Sequence, residues 1–164
     1  LDDVPDIAGV GTMSVPTTEV LTGDIFVANC TWPNYPQVRL RLEFQNTTGN
    51  NAGDLYAVMS IRGLGTGADY IIILTANIDE VWQQFSNESY HSTANPFTNN
   101  QEFKVIATKT TASTTTWDIQ YANGDTFFSR TSTDEDDSRL SEVDAIGVNA
   151  VDGSTFTYVF TKNS

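Results

Sequence analysis

QVRLRLEFQN at residues 37–46, DLYAVMSIRG at 54–63 and YIIILTAN at 70–77 decide the fold of this chain, and the ladder they form closes on Trp82. Each run has the length of a strand, and the turn-forming stretches NTTGNNAG and LGTGAD lie between them. Val38, Leu40, Leu42 and Phe44 alternate with Arg39, Arg41, Glu43 and Gln45. Successive side chains of a strand point to opposite faces, so the apolar row enters a core while the polar row turns toward solvent or a ligand. Ile71-Ile72-Ile73-Leu74 is apolar on both parities, which predicts a strand covered on both sides or central in its sheet, with a structural role.

The same pattern continues in both directions. β-Branched and aromatic segments bounded by Gly, Asn, Asp and Thr recur about every ten residues, the signature of an antiparallel two-sheet sandwich of the jelly-roll kind. About eleven strands are expected, near 8–14, 18–30, 37–46, 54–62, 70–77, 80–86, 101–110, 114–122, 125–130, 142–150 and 154–162. Asn123-Gly124 supplies the positive φ angles of a tight hairpin, and Asp152-Gly153-Ser154 plays the same part near the end. Residues 1–7 form a loosely held lead-in, and 8–162 form a single domain. Asp134-Glu135-Asp136-Asp137 reads as an exposed, solvated loop. Trp32-Pro33-Asn34-Tyr35-Pro36 is stiffened by its two prolines and is expected as a packed corner.

The chain has 164 residues and a formal charge of −13, from 21 acidic against 8 basic residues. Such a field repels phosphate backbones and anionic lipid surfaces, which argues against nucleic acid or membrane-surface partners. No run approaches the roughly 20 apolar residues of a membrane-spanning helix, so no membrane insertion is expected. The single cysteine, Cys30, excludes an intrachain disulfide and a Cys-rich metal site, and its apolar neighbours predict an inert, buried thiol. Three sequons, at Asn29, Asn46 and Asn87, lean toward an extracellular or surface-exposed protein.

In the order of its parts, this ladder resembles the carbohydrate-recognition half of the galectin family. Val15-Pro16 with Leu21-Thr22-Gly23-Asp24 is similar to the opening segment of that fold. Asn123-Gly124-Asp125 with Phe127-Phe128-Ser129-Arg130 resembles its late hairpin, and the stretch from Ala145 to Phe160 resembles its closing strands. Galectins read galactose with a His-x-Asn-x-Arg strand, an Asn on the next strand, and a Trp followed by Gly-x-Glu-x-Arg. Matched without gaps, this chain offers Val58, Ser60 and Arg62, then Thr75, then Trp82, with Phe85 and Asn87 where the family has Glu and Arg. A slip of two residues would put Asn77 in the place of Thr75. Only Arg62 and Trp82 keep the family's identity.

The resemblance therefore implies a galectin-like sandwich with a degenerate galactoside motif. It implies a lectin domain of non-standard glycan specificity for cell-surface attachment or adhesion, with Arg62, Trp82, Ser60, Thr75, Asn77, Asn87 and Glu88 as candidate ligand-binding residues. An indole stacks on the apolar face of a sugar, and a guanidinium fork donates to its oxygens. The expected partner is a glycan or glycoprotein. The alternative is a protein-interaction domain that has lost galactoside binding and engages a protein receptor, as spike-head domains of the rotavirus type are similar to galectins in fold without the galactose motif. A lectin needs Arg62 and Trp82 exposed in one groove, whereas a protein binder tolerates both being buried. Homo-oligomerisation through the first and last strands is open.

Catalysis is not expected, and neither a cofactor nor a metal is called for. Glu142-Val143-Asp144 resembles the Glu-x-Asp-x-x-Glu strand of laminarinase-like hydrolases, but Gly147 stands where the proton-donating acid belongs. Asp79 and Glu80 would lie on opposite faces of an extended chain. The lone His91 reads as a loop residue, and a single imidazole cannot furnish a His-rich zinc site. The glycines of 63–67 follow a strand but precede no helix, so they are turn residues rather than a phosphate loop.

Overall fold

Alternating burial divides the strands into two antiparallel sheets of six that face each other across an aromatic core. The computed structural model describes residues 4–17, 19–34, 38–63, 70–92, 97–111, 113–132, 142–151 and 155–163, with the side chains of 4–8, 70, 84–92, 151 and 163 outside that description. One sheet runs β1 (Val4–Val10), β12 (Thr157–Asn163), β3 (Ile25–Thr31), β8 (Glu102–Thr111), β9 (Thr114–Tyr121), β10 (Thr126–Ser132). The other runs β2 (Met13–Pro16), β11 (Ala145–Val151), β4 (Val38–Gln45), β5 (Leu55–Gly63), β6 (Tyr70–Ile78), β7 (Val81–Ser92). No α-helix occurs among the described residues.

The inward rows meet around Phe44 of β4. Its ring centroid lies 5.0 Å from that of Phe26 and 5.8 Å from that of Trp117, both on the opposite sheet. Aromatic pairs at such separations add to the area they bury, so this trio ties the two sheets together at their centre. A second aromatic cluster closes one end: Trp32 stacks on Phe97 at 4.5 Å and meets Phe156 edge-on at 5.6 Å. Trp32 is buried, so the corner it begins is packed at its first residue, while Tyr35 and Pro36 lie outside the described residues. Cys30 lies in the core with its thiol pushed up to about 12 by desolvation, which leaves almost no thiolate near neutrality.

Several local expectations change. The strand expected at 8–14 is two strands, because Gly11 takes φ +76° and turns the chain between β1 and β2, which belong to different sheets. That makes twelve strands among the described residues rather than eleven. β1 begins at Val4, inside the stretch expected as a lead-in, and pairs with β12 through Val4↔Lys162 and Ile7↔Phe160. β3 begins only at Ile25, since residues 21–24 form a turn in which the Leu21 N–H donates to Asp24 Oδ2 at 2.8 Å. The Asn123-Gly124 hairpin is present, but only Gly124 has positive φ, and the register shifts between Thr126 and Phe128 as in a bulged turn. His91 lies within β7, opposite Ile71, rather than in a loop. The turn expected at 152–154, the acidic run at 134–137 and the glycine-rich turn beyond Gly63 fall outside the described residues.

The β6–β7 connection positions the outer face of the second sheet. Asp79 and Glu80 form a two-residue hairpin with φ of 52° and 66°, and Ile78 pairs Val81 across it. Two successive positive φ angles match the right-handed twist of the flanking strands, the geometry of a type I′ turn. The pair is therefore not in an extended chain, contrary to the sequence-based expectation. Asp54 steadies the turn by accepting the Asp79 N–H at 3.0 Å.

Candidate functional site

On the outer face of the second sheet, parity collects Arg39 and Arg41 from β4, Ser60 and Arg62 from β5, Ile71, Ile73 and Thr75 from β6, and Trp82 from β7. They line a groove of about 230 Å³. The ladder sets its geometry. Arg39 stands directly opposite Arg62, Arg41 opposite Ser60, and Ser60 in turn opposite Ile73. Ile71 and Ile73 are half-buried here, while Ile72 and Leu74 enter the core. The run apolar on both parities thus serves two surfaces, and β6 is next to the sheet edge rather than central.

Trp82 is 49% exposed and forms one wall. The hairpin at Asp79-Glu80 places it opposite Asn77, two residues beyond the turn. The Arg41 guanidinium carbon lies 5.3 Å from its ring centroid, within cation–π range, so a charge and an aromatic plane meet at one end of the groove. Thr75 lines the groove, and its Oγ1 is buried and without a hydrogen-bond partner.

Arg41 is held from the opposite side by a polar knot. Its Nε lies 3.2 Å from Glu43 Oε1, an ion-pair distance whose angle does not make it a hydrogen bond. Glu43 is buried, and its other oxygen accepts from Gln45 Nε2 at 2.8 Å. Ser14 Oγ donates to Gln45 Oε1 at 2.5 Å, and Asn149 Nδ2 reaches Glu43 Oε1 at 3.5 Å. Gly147 makes the arrangement fit. A Cβ at that position would collide with Gln45 Nε2, so the missing side chain is the space the amide occupies.

Of the residues singled out from sequence, the groove brings together Arg62, Trp82, Ser60 and Thr75. Asn77 lies on the same face at the hairpin end but does not line the groove. Asn87 and Glu88 belong to β7 where its pairing with β6 is interrupted, between Gln84 and Ser89, and their side chains, like that of Phe85, fall outside the described residues. Val58, at the position the resemblance gives to a histidine, is buried between Glu43 and Thr75 in the ladder. Sequence reasoning placed Arg39 and Arg41 in a polar row but did not bring them to the site, because that depends on the β4–β5 register.

Glu142 and Asp144 do not form a catalytic pair on a strand. Both precede β11 and brace the β4–β5 loop. Glu142 Oε2 accepts from Tyr56 Oη at 2.8 Å and Asn51 Nδ2 at 2.9 Å. Asp144 accepts from the Thr47 N–H and from the hydroxyls of Thr47 and Thr48. Desolvation pushes the Asp144 carboxyl upward, but these hydrogen bonds outweigh it and hold the group below the ordinary aspartate value. Asn46, in the second sequon, is buried with its amide donated to Tyr56 Oη at 3.2 Å, so it cannot carry a glycan in this fold.

Comparison with solved structures places the fold. Galectin LEC-6 of Caenorhabditis elegans superposes with a TM-score of 0.62 at 13% identity, over 93% of this chain and 90% of that one. Sheep galectin-11, solved with glycerol, gives 0.58 at 14% identity over 93% and 96%. The fold is galectin-like. A variant of human galectin-16 gives 0.54 at 13% identity over 88% and 93%, so the likeness spans most of both chains in each of these cases. No protein-family profile and no curated protein sequence matches the chain. The galectin-like sandwich is thus shared in architecture while the side chains differ almost throughout.

Proposed function

We propose that this chain is a non-catalytic lectin domain whose glycan site is the groove between Arg62 and Trp82. The observation that carries the reading is that an exposed indole, a half-buried guanidinium and an unpartnered buried hydroxyl meet in one concavity. The indole takes the C–H face of a saccharide, the guanidinium donates to its oxygens, and Ile71 and Ile73 give the floor an apolar character. The buried Val58 removes a hydrogen-bonding group where the family has histidine, so the specificity is not the family's ordinary one. Binding at so small a groove is weak per site and gains from several copies, which suits attachment or adhesion by an extracellular or surface-exposed protein.

The test is a broad glycan array with the domain presented multivalently, beside Arg62→Ala and Trp82→Ala variants whose melting confirms folding. Signal lost in both variants is the expected result. Signal that survives in both moves the site elsewhere on the molecule. Silence across the array overturns the lectin reading and favours a protein-interaction domain or spike head of the same fold.

A further inference from the structure

We infer that the groove selects an acidic saccharide, one whose carboxylate or sulfate is held by Arg62 together with Arg41. This rests on the lectin reading and narrows it to a ligand class. Three of the chain's eight lysine and arginine residues line this one groove, in a protein of formal charge −13. No acidic side chain lines it among the described residues. Glu43, the carboxylate paired with Arg41, sits behind it at 4% side-chain exposure, in the polar knot.

Donor and acceptor counts point the same way. A guanidinium offers up to five N–H donors and no acceptor, so among the described residues the polar lining only donates, apart from the hydroxyls of Ser60 and Thr75. A neutral sugar can accept from these guanidinium groups, but each of its hydroxyls also carries an O–H donor that finds few acceptors here. An anionic group brings acceptors only, and its bonds to guanidinium are the strong, charge-assisted kind. The register agrees. Arg39 and Arg62 stand directly opposite each other on the ladder. Arg39 has an interaction of its own, so the anion falls to Arg62 and Arg41, which lie on a ladder diagonal about 7–8 Å apart.

The overall negative charge sets the size of the ligand. It opposes a long polyanion that would drape over the surrounding surface, whereas the groove's own field acts within a Debye length of about 8 Å. A short saccharide with a single terminal acid group satisfies both conditions.

The experiment measures binding of matched oligosaccharides that differ in one group: a neutral parent, the same glycan with a terminal carboxylate sugar, and the same glycan with one sulfate ester. Wild type is compared with Arg62→Gln and Arg62→Lys, with thermal melts as the check on folding. The expected result is a preference of about tenfold or more for at least one acidic form. That preference disappears in Arg62→Gln and is partly kept in Arg62→Lys, which retains charge but loses the planar fork. The two acidic arms identify the anion. Equal binding of neutral and acidic forms overturns this inference while leaving the lectin reading intact. An acidic preference unchanged in Arg62→Gln also overturns it, by placing the anion elsewhere. Failure of every glycan, neutral or acidic, overturns both.

Discussion

The outer face of the second sheet has two halves with the same polar pattern and opposite chemistry. Around Glu43, Gln45, Ser14 and Asn149 the polar groups satisfy one another over Gly147. Further along the same face, Arg62 and Thr75 border a groove in which Thr75 Oγ1 has no partner at all. Polarity alone does not separate structure from site. What separates them is whether each donor has an acceptor within the protein. Arg41 stands at the boundary, tied to Glu43 on one side and set over Trp82 on the other.

Glu43→Ala should divide the halves most sharply. It strips Gln45 and Asn149 of their shared acceptor and Arg41 of its ion-pair partner, and should lower unfolding free energy by about 2 kcal/mol, read by urea denaturation. Trp82→Ala should change stability by less than about 0.5 kcal/mol, because nearly half of the indole is already in water. Equal losses in the two variants would dissolve the distinction.

Gly147→Val should come next, costing about 1–2 kcal/mol as Gln45 is displaced. It should also weaken glycan binding although residue 147 lies outside the groove. Binding that stays intact would show that Arg41 does not need the knot.

A smaller and opposite effect is expected at the turn. Glu80→Gly relieves a positive φ in a non-glycine residue and should stabilise the protein by about 0.5–1 kcal/mol in the same urea titration, without loss of binding. The smallest effect is one of pH. The Asp144 carboxyl is lower in the folded protein than in the unfolded chain, so its contribution is present above the unfolded value and fades as pH falls through the folded one. Acid should therefore loosen the Thr47–Thr48 loop before the groove changes, and Asp144→Asn should remove that part of the acid sensitivity, as read by amide exchange.

Much of the sandwich is legible in the sequence because alternation such as Val38 to Phe44 depends only on local order. The start of the chain is harder: Gly11 divides one apolar run between two sheets, and nothing in the run itself marks the break. In the candidate groove, Arg62 and Trp82 are singled out in the sequence through the resemblance. Arg39 and Arg41 read only as a wet row, since their meeting with Arg62 is a matter of cross-strand register. Ile71 and Ile73 are hidden by their own neighbours, because an apolar run does not say which face of it remains open. Glu142 and Asp144 look like chemistry in the sequence and prove to be braces, because the strand starts one residue later, at Ala145.

The two-residue turn at Asp79-Glu80 also works as a ruler. Strand side chains alternate with a period of two, so the length of this loop decides which side of the sheet receives the indole. One residue inserted there would carry Trp82 from the groove to the sandwich interior, while two would return it to the same face displaced along the strand. Loop length at this hairpin is thus a discrete control on whether an exposed indole borders the groove, independent of every side chain that lines it.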